Sequence, residues 1–371
     1  MNDDWRDRFL TPPGGPYLLS HSVGPQPVAA APLLHQALLA PWAAKGGEAW
    51  GDWLAAIDRF RASLAGLLGG APADYCPQAN LSAGLTRLLT GLTVDPRRPV
   101  LLAAEASFPS LGFVLQQMTR LGYQLRWLPR AADVTDAGVW AAALTDDVAA
   151  VLTMHVHSNS GAVSPVTEIA ALARARGIVS IVDVAQSAGI LPIDVTAWGA
   201  DAVLGSCVKW LCGGPGAGFL WVAPGLVEAV QPLDVGWFSH AEPFAFDIHD
   251  FRYAPDARRF WGGTPSVAPY VLATAGIETV AALGVQQILQ HNRRLIARLR
   301  AAVPARWHDR LDVTARGGTL CLPLADDEAG LVGRLRAIGC RFDQRGAVLR
   351  LSFHAGNTDD EADRVADCFS A

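Results

Sequence analysis

Short apolar runs alternate with amphipathic segments through the middle of the chain, and this alternation constrains the fold more than any other feature. Runs rich in β-branched residues occur at 148–156, 178–185, 201–206 and 218–223. Between the first two, residues 165–177 open with proline, end with glycine and place apolar residues at helical spacing. Strands separated by helices form βαβ units with a mostly parallel sheet covered on both faces. The sequence therefore predicts an α/β fold.

The character of the chain changes after this region, which predicts a second and smaller domain. Residues 235–265 are aromatic, polar and irregular, and a long helical stretch is predicted over roughly 266–302. The remainder again alternates between strand and helix. A chain of 371 residues is also too long for one simple core. We predict an N-terminal arm and large domain over 1–235, followed over 236–371 by an active-site segment, a long helix and a small C-terminal α/β domain.

Charge and hydropathy exclude several classes of protein. The net charge is -5 and no stretch is basic, which argues against a nucleic-acid partner. No apolar run approaches about 20 residues, so no membrane span is expected. The first residues, MNDDWRDRFL, are acidic and lack the apolar core of a signal peptide. Six cysteines show no CxxC spacing, and we therefore expect reduced thiols in a cytoplasmic protein.

Two residues in the predicted sheet carry the chemistry of a specific cofactor. Asp183 lies in an apolar strand, where a carboxylate requires a cationic or hydrogen-bonded partner. Lys209 follows the next strand, and Lys45 is the only other lysine. Pyridoxal 5'-phosphate (PLP) needs an amine that forms an imine with its aldehyde and an acid that keeps its pyridine nitrogen protonated. Taken singly, Asp183 could cap a loop and Lys209 could be a surface lysine, but together they predict PLP as cofactor and both residues as catalytic.

The motifs around this pair resemble those of the class V aminotransferases, a family of PLP enzymes of fold type I. The resemblance is carried by the stretch from HSNSG to GFLWV, which contains VDVAQSAG and the lysine segment. Within the family, WGADAVLGS, GWFSH, WGGTP, FDQR and LRLSF are most similar to the kynureninases. The matches keep their order from about residue 17 to residue 360. The resemblance implies a large PLP-binding domain, an amino-acid substrate and a homodimer with shared active sites.

The same resemblance implies a role for several residues around the cofactor ring. Gln186 is expected near the ring oxygen of PLP, and Asn159 is expected over the same oxygen. Phe108 is expected to stack on the ring, because an aromatic side chain holds a flat π-system without competing polar groups. The ordinary alternative for Phe108 is a core residue at the start of a helix.

Two positions are expected to bind the phosphate of the cofactor. Leu81 and Ser82 begin a helical segment, and the start of a helix offers backbone N–H donors to an anion. Ser206 stands three residues before the lysine and is a second candidate. The ordinary alternative for Ser82 is the N-cap of its helix.

The remaining candidates are expected to bind the substrate (Arg350, His21 and Trp237) or the cofactor (Trp237 and Thr264). Arg350, in VLRLSF, matches the arginine with which the family binds the substrate carboxylate, and His21 stands where the kynureninases carry an asparagine. Trp237 and Thr264 match positions that reach the site from the second subunit. No metal is expected, because no third ligand accompanies the histidines of HVHS.

The chain departs from the kynureninases at several positions, and these departures leave PLP binding intact but bear on the choice of an aryl substrate. Gln186 and Val208 replace their usual histidine and tyrosine, and Leu111 replaces an acid. The leading prediction is hydrolytic Cβ–Cγ cleavage of a kynurenine-type substrate. The alternatives are a cysteine desulfurase or other C–S lyase, an epimerase or aminotransferase, and a non-catalytic PLP-fold protein. A desulfurase needs a nucleophilic cysteine on a flexible loop, whereas Cys340 falls at the predicted end of a helix.

Overall fold

The computed structural model describes residues 3–314 and 316–370. Its strands are β1 (Phe9–Leu10), β2 (Gln26–Pro27), β3 (Tyr75–Gln78), β4 (Val100–Ala104), β5 (Gln124–Leu128), β6 (Val148–Met154), β7 (Val179–Asp183), β8 (Ala202–Ser206), β9 (Gly218–Val222), β10 (Leu320–Pro323), β11 (Asp343–Arg345) and β12 (Val348–Leu351). Its α-helices are α1 (Ala30–Leu34), α2 (Ala40–Lys45), α3 (Trp50–Leu68), α4 (Leu81–Gly91), α5 (Pro109–Met118), α6 (Ala137–Ala143), α7 (Val166–Ala175), α8 (Val195–Trp198), α9 (Pro224–Val227), α10 (Ala268–Leu283), α11 (Val285–Ala302), α12 (Gly330–Ala337) and α13 (Asp359–Asp367).

A seven-stranded sheet dominates the structure. Its strand order is β3-β9-β8-β7-β6-β4-β5, and the neighbours from β8 to β5 run parallel. The strand β9 is antiparallel to both of its neighbours, β8 and β3. The predicted α/β fold with a mostly parallel sheet is confirmed. The central strands β6 and β9 are buried almost throughout, as expected for apolar runs covered on both faces.

A second sheet forms the core of the predicted smaller unit. Its three strands are antiparallel in the order β10-β12-β11, and α12 and α13 belong to the same hydrophobic cluster. The smaller C-terminal α/β unit is therefore confirmed. The strand β11 was not predicted, because its sequence DQR has no apolar alternation.

The prediction of one long helix over 266–302 was wrong, because two helices occupy this region. Gly284 separates α10 from α11 and has a φ of 82°, a left-handed conformation that favours glycine. The two helix axes are bent by 75°. Among the described residues, no single helix is long and apolar enough to span a membrane, although α10 and α11 taken together meet that criterion by length and composition.

Both hydrophobic cores draw on residues from distant parts of the chain. The core around the large sheet includes Phe260 and Ile277, which follow the predicted boundary near residue 235. The core of the smaller unit includes Leu18 from the N-terminal arm, packed with Leu299 and Phe353. The boundary itself stays a prediction.

Candidate active site

Four adjacent parallel strands deliver the predicted site residues to one edge of the large sheet. Phe108 follows β4, Asn159 follows β6, Asp183 ends β7, and β8 leads to Ser206 and Lys209. Because the carboxyl ends of parallel strands meet at one edge, residues far apart in the sequence come together there. The edge lies where the sequence predicted a ligand site.

The loop that carries Lys209 is held in place by the N-terminal segment. The backbone N–H of Gly24 donates to the carbonyl oxygen of Val208 at 2.7 Å, and a side chain at Gly24 would collide with the carbonyl of Lys209. The N–H of Cys212 donates to that same carbonyl at 2.9 Å, with Cys212 in a left-handed conformation at φ 54°. These contacts fix the backbone from which the lysine projects.

The amine of Lys209 and the carboxylate of Asp183 share one buried environment. Burial lowers the pKa of Lys209, while the charge of Asp183 opposes that shift. Burial raises the pKa of Asp183, and the charge of Lys209 opposes that shift in turn. The Nζ atom of Lys209 lies 5.6 Å from the ring centroid of Phe108. The structure thus brings the predicted amine, acid and aromatic ring together.

The donors and acceptors at this edge fit PLP. Among the described residues, the side chain of Asp183 accepts one hydrogen bond, from the Ala185 N–H to Oδ1 at 2.7 Å, so its other oxygen can accept from a pyridinium N–H. The amide oxygen of Gln186 is buried and has no hydrogen-bond partner in the part of the chain that the structure describes. Such an atom is costly unless a bound group supplies a donor. The amide nitrogen of Gln186 donates to the carbonyl of His21 at 3.0 Å.

The predicted phosphate residues lie near one another at the start of α4. Asn80 is the N-cap of this helix, with its Oδ1 accepting from the Ala83 N–H at 2.9 Å. The alternative that Ser82 is the N-cap is therefore wrong, and the Ser82 hydroxyl is not needed for capping. Gly218 pairs with Ser206 in the sheet and packs against Asn80, because a Cβ at Gly218 would lie 3.1 Å from the Asn80 carbonyl carbon. Ser206 and the N-terminus of α4, which begins at Leu81, are thus close neighbours.

Trp237 and Thr264 contact each other rather than Lys209. The indole N–H of Trp237 donates to the hydroxyl oxygen of Thr264 at 3.2 Å. The ring of Trp237 packs against Phe244 at 5.4 Å and Phe246 at 5.8 Å between centroids. Their predicted role in a second subunit's site stays a prediction.

The turn after β6 carries Asn159, whose expected place over the cofactor oxygen stays a prediction, and it lies next to two histidines. Asn159 is exposed, whereas its neighbour Ser158 is buried. His157 forms a hydrogen bond through Nε2 with the hydroxyl of Ser164 at 3.1 Å, and His155 packs against Trp198 at 4.7 Å between ring centroids. These contacts are those of structural histidines.

Arg350 is completely buried and already paired. Its Nε and Nη2 donate to the two carboxylate oxygens of Asp343, and Nη1 donates to the carbonyl of Ser158 at 3.0 Å. His21 is the second partner of Asp343, with its Nε2 3.0 Å from Oδ1, and its Nδ1 lies 2.8 Å from the hydroxyl of Ser352. The predicted substrate residues Arg350 and His21 therefore form one network with each other.

The charges in this network are fixed by its hydrogen bonds. Burial alone would raise the pKa of Asp343, but bonds from His21 and Arg350 hold it well below its usual range. Burial lowers the pKa of His21, although Asp343 opposes that shift. Because a carboxylate only accepts, a neutral His21 donates from Nε2 to Asp343 and accepts at Nδ1 from Ser352. Asp343 is thus an anion shared by an arginine and a neutral histidine.

Sequence reasoning missed Arg345, which lies beside the amine. The guanidinium carbon of Arg345 is 5.3 Å from the centroid of the Phe108 ring, the same ring that Lys209 approaches. Its described hydrogen bond, from Nη1 to the Ser158 hydroxyl, is long at 3.4 Å. The motif FDQR contained both Arg345 and Asp343 and matched the family, so this match was the available signal.

Comparisons with known proteins agree with this fold. The family model for aminotransferase class-V matches residues 101–365. Kynureninase from Burkholderia pseudomallei (strain 1106a) is 30% identical over 314 residues, covering 81% of this chain and 73% of that protein. A structure of a C-DES variant with glycine covalently linked to its PLP cofactor has a TM-score of 0.85 at 22% identity, covering 98% of this chain and 99% of that one. The apo structure of a cysteine desulfurase from Thermococcus onnurineus NA1 has a TM-score of 0.81 at 18% identity, covering 99% and 97%.

The chain belongs to the class V aminotransferase family. Its fold is PLP fold type I, as the sequence predicted. This membership makes it a PLP-dependent enzyme.

Proposed function

We propose that this enzyme hydrolyses the Cβ–Cγ bond of a kynurenine-type amino acid. The proposal is supported by the 30% identity to a kynureninase over most of both chains. All six cysteines are buried, and none of them is in a disulfide. This observation favours the hydrolase over a desulfurase. A cysteine nucleophile must be accessible and ionised.

The side chains divide the proposed chemistry among them. PLP, when bound, supplies an electron sink for the carbanion of the substrate. Lys209 binds the cofactor, and its amine, with a pKa lowered by burial, removes the proton from the substrate Cα. Asp183 holds a proton on the pyridine nitrogen, and Gln186 stands three residues after it, beyond the end of β7. The arginines of the smaller unit direct the substrate carboxylate.

We expect purified holoenzyme with L-kynurenine to release anthranilate and L-alanine in equal amounts. After Lys209 removes the Cα proton, water adds to the γ-carbonyl of the substrate, the Cβ–Cγ bond breaks to release anthranilate, and protonation of Cβ and Cα leaves L-alanine. Anthranilate is measured by its fluorescence and alanine by chromatography. A spectral change of the cofactor on adding kynurenine, without any anthranilate, would show that the substrate binds but that this reaction is wrong.

A C–S lyase is the second candidate, and Gln186 is the residue that favours it. The family resemblance places this glutamine where desulfurases carry one, and the structure leaves its amide oxygen buried and unpaired. The matched experiment offers the same holoenzyme L-cysteine and L-cystine. Release of sulfide or persulfide at a rate above that of anthranilate would reverse the order of the two candidates.

Replacing Cys340 with serine separates a desulfurase from the other reactions. We expect Cys340→Ser to leave turnover of every substrate within about twofold, because burial raises the pKa of this thiol to about 12 and leaves almost no thiolate. Cys368→Ser is the matched control, since Cys368 is buried in the same hydrophobic cluster. Loss of sulfur release in Cys340→Ser alone would establish a cysteine nucleophile.

A homodimer with shared sites is the assembly we propose. Apolar side chains near Trp237 are exposed in the single chain, with Phe246 at 75% and Ile248 at 90%. Exposure of neighbouring large apolar residues is typical of a surface that another chain covers. In such a dimer the aromatic segment around Trp237 would flank the aryl group of a substrate in the partner's site. The six free thiols support a cytoplasmic location for the enzyme.

A further inference from the structure

One buried sulfur is bonded to the turn that carries the aromatic ring of the site. The backbone N–H of Phe108 donates to the Sδ atom of Met154 at 3.2 Å. Met154 is 2% exposed and ends β6, whereas Phe108 lies between β4 and α5. Met154 has no part in the proposed chemistry, yet its sulfur bonds the residue whose ring centroid lies 5.6 Å from the amine of Lys209.

The N–H of Phe108 needs this acceptor. Phe108 is the N-cap of α5, and the hydrogen bonds of a helix do not use the N–H of its N-cap. The next residue, Pro109, has no N–H, and the N–H of Ser107 donates to the carbonyl of Ala104 at 2.9 Å. The bond to the sulfur therefore fixes the backbone of the turn at the residue from which the ring projects.

Met154 also belongs to the row of residues that contains the acid of the site. In the sheet, Met154 pairs with Asp183, and Asp183 pairs with Leu204. Paired residues of neighbouring parallel strands project from the same face of a sheet, so the thioether and the carboxylate are neighbours. Met154 thus connects the turn of Phe108 to the strand of Asp183.

We propose that Met154 is a positioning residue, whose sulfur sets the place of the Phe108 ring relative to Asp183 and thereby the fit of PLP to both. A leucine would fill nearly the same volume, so packing alone does not require the sulfur. The inference rests on PLP as the cofactor and on the expected stacking of Phe108. It does not depend on which amino acid is the substrate.

The test removes the sulfur and keeps the shape of the side chain. Norleucine has a methylene in place of the sulfur, and the sequence contains only Met1, Met118 and Met154. Protein made with norleucine should bind PLP about 5- to 50-fold more weakly, because the N–H of Phe108 loses its buried acceptor and the turn shifts to hydrate it. The circular dichroism of the cofactor's visible band should change as well. Met154→Leu should give the same two results.

The matched control is Met118→Leu. Met118 is 4% exposed, belongs to the same hydrophobic cluster and ends α5, the helix that Phe108 caps. This variant should leave PLP binding within about twofold, because the swap conserves volume. The melting temperature of each cofactor-free protein identifies a general loss of stability. If Met118→Leu weakens PLP binding as much as Met154→Leu does, or if the norleucine protein binds PLP normally, the proposal is overturned.

A double-mutant cycle tests whether Met154 acts through Phe108. Phe108→Leu removes the ring but keeps the backbone N–H. If the sulfur acts by positioning the ring, adding Met154→Leu to Phe108→Leu should weaken PLP binding by less than about twofold more. Additive losses would show that Met154 does not act through the ring, and the proposal would then be wrong. No substrate enters these measurements, so failure of the proposed hydrolysis and failure of this inference are distinguishable.

Discussion

Replacing Lys209 with alanine should reduce turnover by about 10³-fold or more and abolish the visible absorbance band of the bound cofactor. The chain loses both its covalent link to PLP and the amine that moves the substrate proton, and each role alone is worth orders of magnitude in rate. Turnover is measured with L-kynurenine, and the absorbance is measured on protein expressed with added PLP.

The chain offers an unusually clean control for this experiment. Lys45 is the only other lysine; it is exposed, and its Nζ lies 2.8 Å from Oδ2 of Asp52. Lys45→Ala removes a surface ion pair and should change turnover by less than about twofold. Borohydride reduction of the holoenzyme followed by peptide mapping should label Lys209. A cofactor label on Lys45, or full activity in Lys209→Ala, would remove the basis of the proposed mechanism.

Replacing Asp183 with asparagine should reduce turnover by about 10²- to 10³-fold without weakening the fold. The amide has nearly the shape of the carboxylate but cannot hold a proton on the pyridine nitrogen of the cofactor. Burial raises the pKa of Asp183, which means that the folded protein disfavours its charge. A neutral side chain should therefore leave the melting temperature of the cofactor-free protein unchanged or slightly higher.

The control for this change is Asp201→Asn. Asp201 immediately precedes β8, and its Oδ2 accepts from the N–H and the hydroxyl of Ser180, each at 2.8 Å. This variant should lower the melting temperature somewhat and leave turnover per folded molecule unchanged. Equal turnover in Asp183→Asn and in the unmodified enzyme would show that the acid serves the fold rather than the cofactor.

The proximity of Asp183 and Lys209 was predictable because it depends on the order of strands along the chain. Asp183 and Lys209 follow consecutive strands of a parallel sheet, and the geometry of such a sheet brings consecutive strand ends to one edge. Phe108 and Ser206 were expected from the family resemblance instead. The break at Gly284 was missed, because apolar residues continue at helical spacing on both sides of it.

The network around Arg350 was not predictable from the same signals. His21 and Asp343 are 322 residues apart in the sequence, and Arg350 reaches the Ser158 carbonyl across 192 residues. The local sequence does not indicate that Asp343 pairs with Arg350 and not with Arg345. Contacts of this kind arise only when separate elements pack.

The sequence by itself determined the α/β fold, the cofactor and the amine–acid pair, because strand and helix periodicity and strand-end chemistry are properties of neighbouring residues. Tertiary structure alone decided which arginine is buried and paired and which one faces the lysine. The physical reason is that burial and charge pairing depend on what surrounds a side chain, and those surroundings come from the N-terminal segment, the turn after β6 and the small sheet together.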